Sequence, residues 1–158
     1  MLKLLQGLRR RQEGATAVEF ALVAPLFFIV MWGTMEAGML ILASTMLEGA
    51  VREAARVGVT GYSPTGTDRA THIKNAVDTY TGKLLDISKV TIGTTVYPNF
   101  SAAGTGTGGA SGVGNTGEIV QYTLTYPWTF FTGNYAATIF GSSTVTLTAK
   151  LVVRNEPF

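Results

Sequence analysis

The chain contains no cysteine and only one histidine, His72. The missing thiols exclude a disulfide framework, a Cys nucleophile and any Cys-ligated metal site. Charge is scarce too: 14% of the 158 residues are Asp, Glu, Lys or Arg, against 46% hydrophobic ones. Disorder goes with the opposite balance, so the chain is expected to fold. No His-Glu-x-x-His pair, nucleophile elbow or suitably paired acids occur, and His72 stands alone on an expected helix, in water. No enzyme, metal or other cofactor is therefore expected.

The sequence pI is about 9.0, but the basic residues are not spread evenly. Lys3, Arg9, Arg10 and Arg11 lie at the start, opposed before Gly14 only by Glu13. The leader carries a positive excess, whereas the rest of the chain is close to neutral. No later stretch clusters Lys or Arg with aromatic residues, which excludes nucleic acid as a partner.

A long apolar run follows. From Phe20 to Leu47 the only charged residue is Glu36. This exceeds the ~20 residues a helix needs to cross the hydrocarbon core, and the run has no polar face. We read a membrane span at about 20–47, in contact with lipid. The basic leader on its N-terminal flank places that end in the cytoplasm and the rest of the chain on the other side of the inner membrane. A secretory signal has a shorter apolar core, about 7–15 residues, ending at a cleavage site of small residues. Here the run continues without a break into amphipathic helix. An uncleaved signal anchor is the simplest alternative.

The helix is expected over residues 15–57, roughly 65 Å at 1.5 Å per residue. In its outer part Leu47, Ala50, Val51, Ala54 and Val57 share one face, with Glu48, Arg52, Glu53 and Arg56 on the other. Glu48 and Arg52 are i,i+4 neighbours of opposite charge. Pro25 removes one hydrogen bond within the helix, which membrane helices tolerate. Ala17 with Ala21, and Gly33 with Ala37, are small residues four apart that allow close helix packing, although such pairs also arise from composition alone. Glu36 lies about 26 Å beyond Glu19 by helix rise, at the outer headgroups or against a partner helix.

After a turn at Gly61–Gly66, Thr67 or Asp68 caps a second helix carrying Ala70, Ile73, Ala76, Val77, Tyr80 and Leu84 at helical spacing. Alternation then predicts strands at 90–97, 119–128 and 144–154. Residues 98–117 hold seven glycines and read as a mobile loop. Gly104-Thr105-Gly106-Thr107-Gly108-Gly109 fits a phosphate-loop string, but no helix follows it to receive a phosphate. The fold class is α+β: a long N-terminal transmembrane and amphipathic helix on a small antiparallel sheet, with a short second helix. Domain organisation is a leader at 1–14, the helix at 15–57 and an extracytoplasmic domain at 58–158.

Glu19 is out of place at the start of a membrane helix, where a carboxylate is costly and usually has a partner. A basic leader, Gly14, the small Ala15, Glu19 at the fifth position after the glycine and an apolar helix together resemble the type IV pilin-like class. The stretch Gly14-Ala15-Thr16-Ala17-Val18-Glu19-Phe20-Ala21-Leu22-Val23-Ala24-Pro25 and the terminal Arg154-Asn155-Glu156-Pro157 are similar to TadE-like pseudopilins of the tight-adherence (Flp) pilus system. The resemblance implies a pilin-like fold and a cut by a prepilin peptidase between Gly14 and Ala15. It implies that Glu19 pairs with the new amine of a neighbouring subunit. It implies partnership with other pilins and pseudopilins and with the inner-membrane assembly platform. The function implied is that of a minor pilin acting in pilus initiation, assembly or tip formation. A membrane-anchored periplasmic assembly or binding factor that never enters the filament is the other reading.

Overall fold

The structure is a computed structural model. It describes residues 14–158 in full, and of residues 2–13 only that they continue the first helix. The chain divides into two compact units, residues 1–39 and 40–158. The first unit is helix throughout its described residues. Helix α1 is assigned over Leu2–Val59 and runs through Pro25. The side chains of the leader, including Lys3, Arg9, Arg10 and Arg11, lie outside the described residues. From Val18 to Met39 the large apolar side chains are exposed, among them Phe20, Leu22, Phe27, Ile29 and Trp32. One stretch of this helix has a mean hydropathy of 2.0 with none of it buried, long and apolar enough to cross a membrane.

The second unit contains the remaining elements. Helix α2 covers Arg69–Thr81, β1 Thr91–Tyr97, α3 Phe100–Thr105, β2 Ala110–Ser111, β3 Ile119–Thr129, α4 Asn134–Phe140 and β4 Thr144–Arg154. The sheet is antiparallel throughout, in the order β2-β1-β3-β4. This is the expected α+β, pilin-like arrangement. The three strands read from alternation are present nearly residue for residue. The expected inner face of β3 packs inward: Val120, Tyr122, Leu124 and Tyr126 are buried and Trp128 is half-buried.

Residues 98–117 differ from the open loop expected of their composition. Asn99 caps α3 by accepting from the Ala102 amide at 2.8 Å. Farther on, Thr95 and Val96 of β1 pair with Ser111 and Ala110. Glycine density reports chain freedom before folding and says nothing of the partners that β1's free edge supplies. The second helix starts as expected, with the Asp68 carboxylate accepting from Thr71 N, and hydrogen bonding from Thr71, its side chain before its backbone, holds this carboxyl below its ordinary range. It ends at Thr81, earlier than Leu84, because Gly82 turns left-handed.

Residues 43–57 of α1 lie along the inner face of the sheet. Ala43, Leu47, Ala50, Val51, Ala54, Ala55 and Val57 join Ile73 and Val77 of α2 and the β3 residues in one core. Ala43 and Leu47 belong to the apolar run of the sequence, yet they are buried within this unit. On the polar side the ion pair is Glu53 with Arg56 at 2.5 Å, rather than Glu48 with Arg52. This contact, chiefly its hydrogen bond, holds the Glu53 carboxyl below its ordinary range.

The C-terminus closes the unit. Asn155 is 3% exposed, and its Nδ2 donates to Val113 O at 3.1 Å and to Asn115 O at 3.0 Å. Its backbone N donates to Glu118 O at 2.8 Å, and Glu156 N donates to Val59 O at 3.1 Å, at the end of α1. Arg69, the first residue of α2, donates from Nη1 to Gly114 O at 2.8 Å and from Nη2 to Gly58 O. Its guanidinium stands 5.0 Å from the centre of the Phe158 ring. Asn155 and Arg69 thus join α1, α2, the glycine-rich segment and the chain terminus. We expect Asn155→Ala to leave the Val113 and Asn115 carbonyls without this donor and to cost about 1–3 kcal/mol. Limited proteolysis should then cut residues 113–118 faster than in the parent chain.

Candidate functional site

The sequence-derived site residues all lie on one helix. Gly14, Ala15, Ala17, Glu19, Ala21, Pro25, Gly33 and Ala37 are exposed positions of α1. Glu19 makes no ion pair with another described residue. The chain therefore supplies no described countercharge to an acid at the edge of an apolar run. Glu36 is half-buried on the same helix.

The glycines of α1 fall into two classes. A Cβ placed on Gly14, Gly33 or Gly38 would meet no atom within 4 Å. Nothing in the packing of the described residues requires glycine there, and each costs the helix about 1 kcal/mol relative to Ala. Gly49 and Gly58 are the reverse. A Cβ on Gly49 would overlap the Tyr80 hydroxyl and ring, and one on Gly58 would overlap those of Tyr122. The outer pair allows the helix to approach its own domain. The inner three leave open backbone on a surface that no described residue covers. Gly38 has no Ala or Gly four residues away to mark it in the sequence, although Thr34 four residues earlier gives it a comparable small-residue spacing.

Tyr122 is fully buried, which pushes its phenol above the ordinary value, while the positive charge of Arg69 opposes that rise. A surface groove between α1 and α2 is lined by Glu53, Arg56, Tyr62, His72 and Tyr80, among others. Glu53 is engaged by Arg56, and the His72 ring packs edge-on against Tyr62 with 5.9 Å between centroids. His72 is thus half-buried, not solvated as its isolation in the sequence suggested. Among the described residues, no group of three or more His, Cys, Asp or Glu side chains could hold a metal ion.

Residues 14–56 match the family described as TadE-like protein, the family that the sequence resembles. No curated protein and no solved structure matches the chain. The match begins at Gly14 and takes in the apolar run and the part of α1 buried against the sheet. That likeness, confined to the first helix, suggests involvement in a tight-adherence pilus system. The long apolar helix fits a single-pass membrane anchor in such a protein.

The two classes of glycine separate in one experiment. Gly58→Ala should destabilise the domain by about 1–3 kcal/mol, because the methyl group must displace Tyr122 from a packed core. Gly33→Ala should leave the denaturation midpoint of the detergent-solubilised chain unchanged or slightly raised.

Proposed function

On the premise of the TadE-like match over residues 14–56, we propose that this chain is a minor pseudopilin of a tight-adherence (Flp) pilus, matured by a prepilin peptidase. The observation that carries the reading is the pairing of Gly14 with Glu19. The glycine has no packing partner among the described residues, and the acid faces outward five residues later with no described counterion.

Each feature has a physical use in assembly. Gly14 weakens the helix where the peptidase must open the backbone, between Gly14 and Ala15. The cut releases Lys3, Arg9, Arg10 and Arg11, whose charge holds the leader on the cytoplasmic side, with residues 58–158 in the periplasm. It also creates an amine at Ala15. Glu19 pairs with that amine on a neighbouring subunit, which removes the cost of an isolated carboxylate in an apolar bundle and fixes the axial register. The exposed apolar side chains from Val18 to Met39 then exchange lipid for neighbouring helices. Ala17, Ala21, Gly33 and Ala37 allow those helices to approach closely, and Pro25 frees the Ala21 carbonyl from its ordinary helical donor. The partners are the peptidase, other pilins and pseudopilins, and the inner-membrane assembly platform. The subunit acts in pilus initiation, assembly or tip formation.

Intact-mass analysis of the chain from producing cells should give a species beginning at Ala15. A chain that keeps residues 1–14 would sink the processing step. Glu19→Ala should still be cut but should reduce piliation, and normal pili from that variant would exclude the pairing role. Recovery of the mature chain in membranes but never in sheared pili would favour an anchored assembly factor instead.

A further inference from the structure

The connection between β3 and β4 carries a second exposed apolar surface. Phe131, Tyr135, Ile139 and Phe140 are 84%, 77%, 69% and 71% exposed. Tyr135 and Ile139 lie one turn apart on α4, and Phe140 stacks on Phe130 with 5.8 Å between ring centres. No Asp, Glu, Lys, Arg or His occurs between Glu118 and Lys150. Phe and Tyr beside Thr132, Asn134, Thr138 and Ser142 make a surface that is apolar at its tip and hydrogen-bonding at its base.

Its position in the fold identifies what it meets. The start of β3 and the end of β4 pair at Ile119 and Arg154 and lie beside the end of α1, where Tyr122 abuts Gly58 and Glu156 donates to Val59. From there the two strands run along α1, with Val120 to Trp128 in the same core as residues 43–57 of the helix. An eleven-residue strand extends about 36 Å, and residues 40–59 of α1 rise about 30 Å. The far end of the ladder, where Thr129 pairs with Thr144, is therefore the end at which Leu40 begins this unit. The membrane boundary falls there along the chain. Phe20 to Leu42 rises about 34 Å, close to the ~30 Å hydrocarbon thickness. Ile41 and Leu42, at 66% and 45% exposed, are apolar residues of this same unit at that end.

We propose that the α4 connection is an interfacial membrane element, with Phe131, Tyr135, Ile139 and Phe140 seated in the headgroup and upper acyl region of the phospholipid bilayer that α1 spans. Aromatic side chains with a polar rim favour that zone, and the lack of charge removes the main cost of entering it. The element gives the domain a second point of contact with the membrane. It rests on the membrane reading of α1 and not on a place in a pilus.

The absence of cysteine allows the test to be made on the full chain. Single variants Ile29→Cys, Ile139→Cys and Ser101→Cys are labelled with an environment-sensitive fluorophore and reconstituted into vesicles of phosphatidylethanolamine and phosphatidylglycerol containing a lipid-borne quencher. Ser101 lies in α3, just beyond the end of β1 that pairs with Ile119, and so away from the proposed contact. The expected result is quenching at Ile29 and Ile139, with a blue shift at both, and neither effect at Ser101. Quenching at Ile29 without Ile139 would overturn the proposal and leave the membrane span intact. A blue shift at Ile139 that grows with protein density but resists the lipid quencher would assign the surface to another protein, again against it. Quenching at all three sites would mean unspecific adsorption, and none at Ile29 would remove the membrane reading and the proposal together.

Discussion

The close approach of α1 to the inner face of the sheet is the constraint on which the second unit depends. The helix meets β3 through Ala43, Leu47, Ala50, Val51, Ala54, Ala55 and Val57, and four of these seven are alanines. Small side chains bring the helix backbone near enough to the strand for Tyr122 to reach Gly58 and, on the other flank, for Tyr80 of α2 to reach Gly49. The large residues of this core thus come mainly from the partners of α1. A bulkier helix face would hold the sheet away and leave Tyr122 without the surface that buries it.

Once the helix is placed, the chain end has a defined seat. Asn155 and Arg69 satisfy carbonyls of residues 58, 113, 114 and 115, which lie in separate segments of the sequence. Buried carbonyls without partners are expensive. This gives the terminal Arg-Asn-Glu-Pro segment a structural reason. It also ties residues 113–115 of the glycine-rich stretch to the rest of the unit.

The same helix meets two different surroundings. Inside the second unit its glycines are demanded by specific neighbours. Toward the N-terminus they are not, and the apolar side chains there face outward. Hydropathy alone does not tell these apart, because a methyl group removed from water contributes alike whether it meets lipid or a protein core. Ala43 and Leu47 lie inside the apolar run of the sequence yet pack within the domain, whereas Ile41 and Leu42 stay exposed.

The amino-acid sequence by itself determined the long helix, the start of the second helix and the three principal strands. Each rests on a local cause: an unbroken apolar run, an aspartate cap at residue 68, and alternation with a period of two. It also singled out Gly14 and Glu19, since a lone glycine and a lone acid at the edge of an apolar run are anomalous without any structure. Tertiary structure alone decided the rest. The short strand at Ala110–Ser111 exists because β1 offers it an edge. Gly49 and Gly58 matter because of tyrosines 31 and 64 residues away. The roles of Asn155 and Arg69, and the exposure of Phe131 and Ile139 at the end of the sheet where Leu40 begins the unit, follow from contacts between distant segments. Such contacts depend on chain positions far apart in the sequence, and no local pattern encodes them.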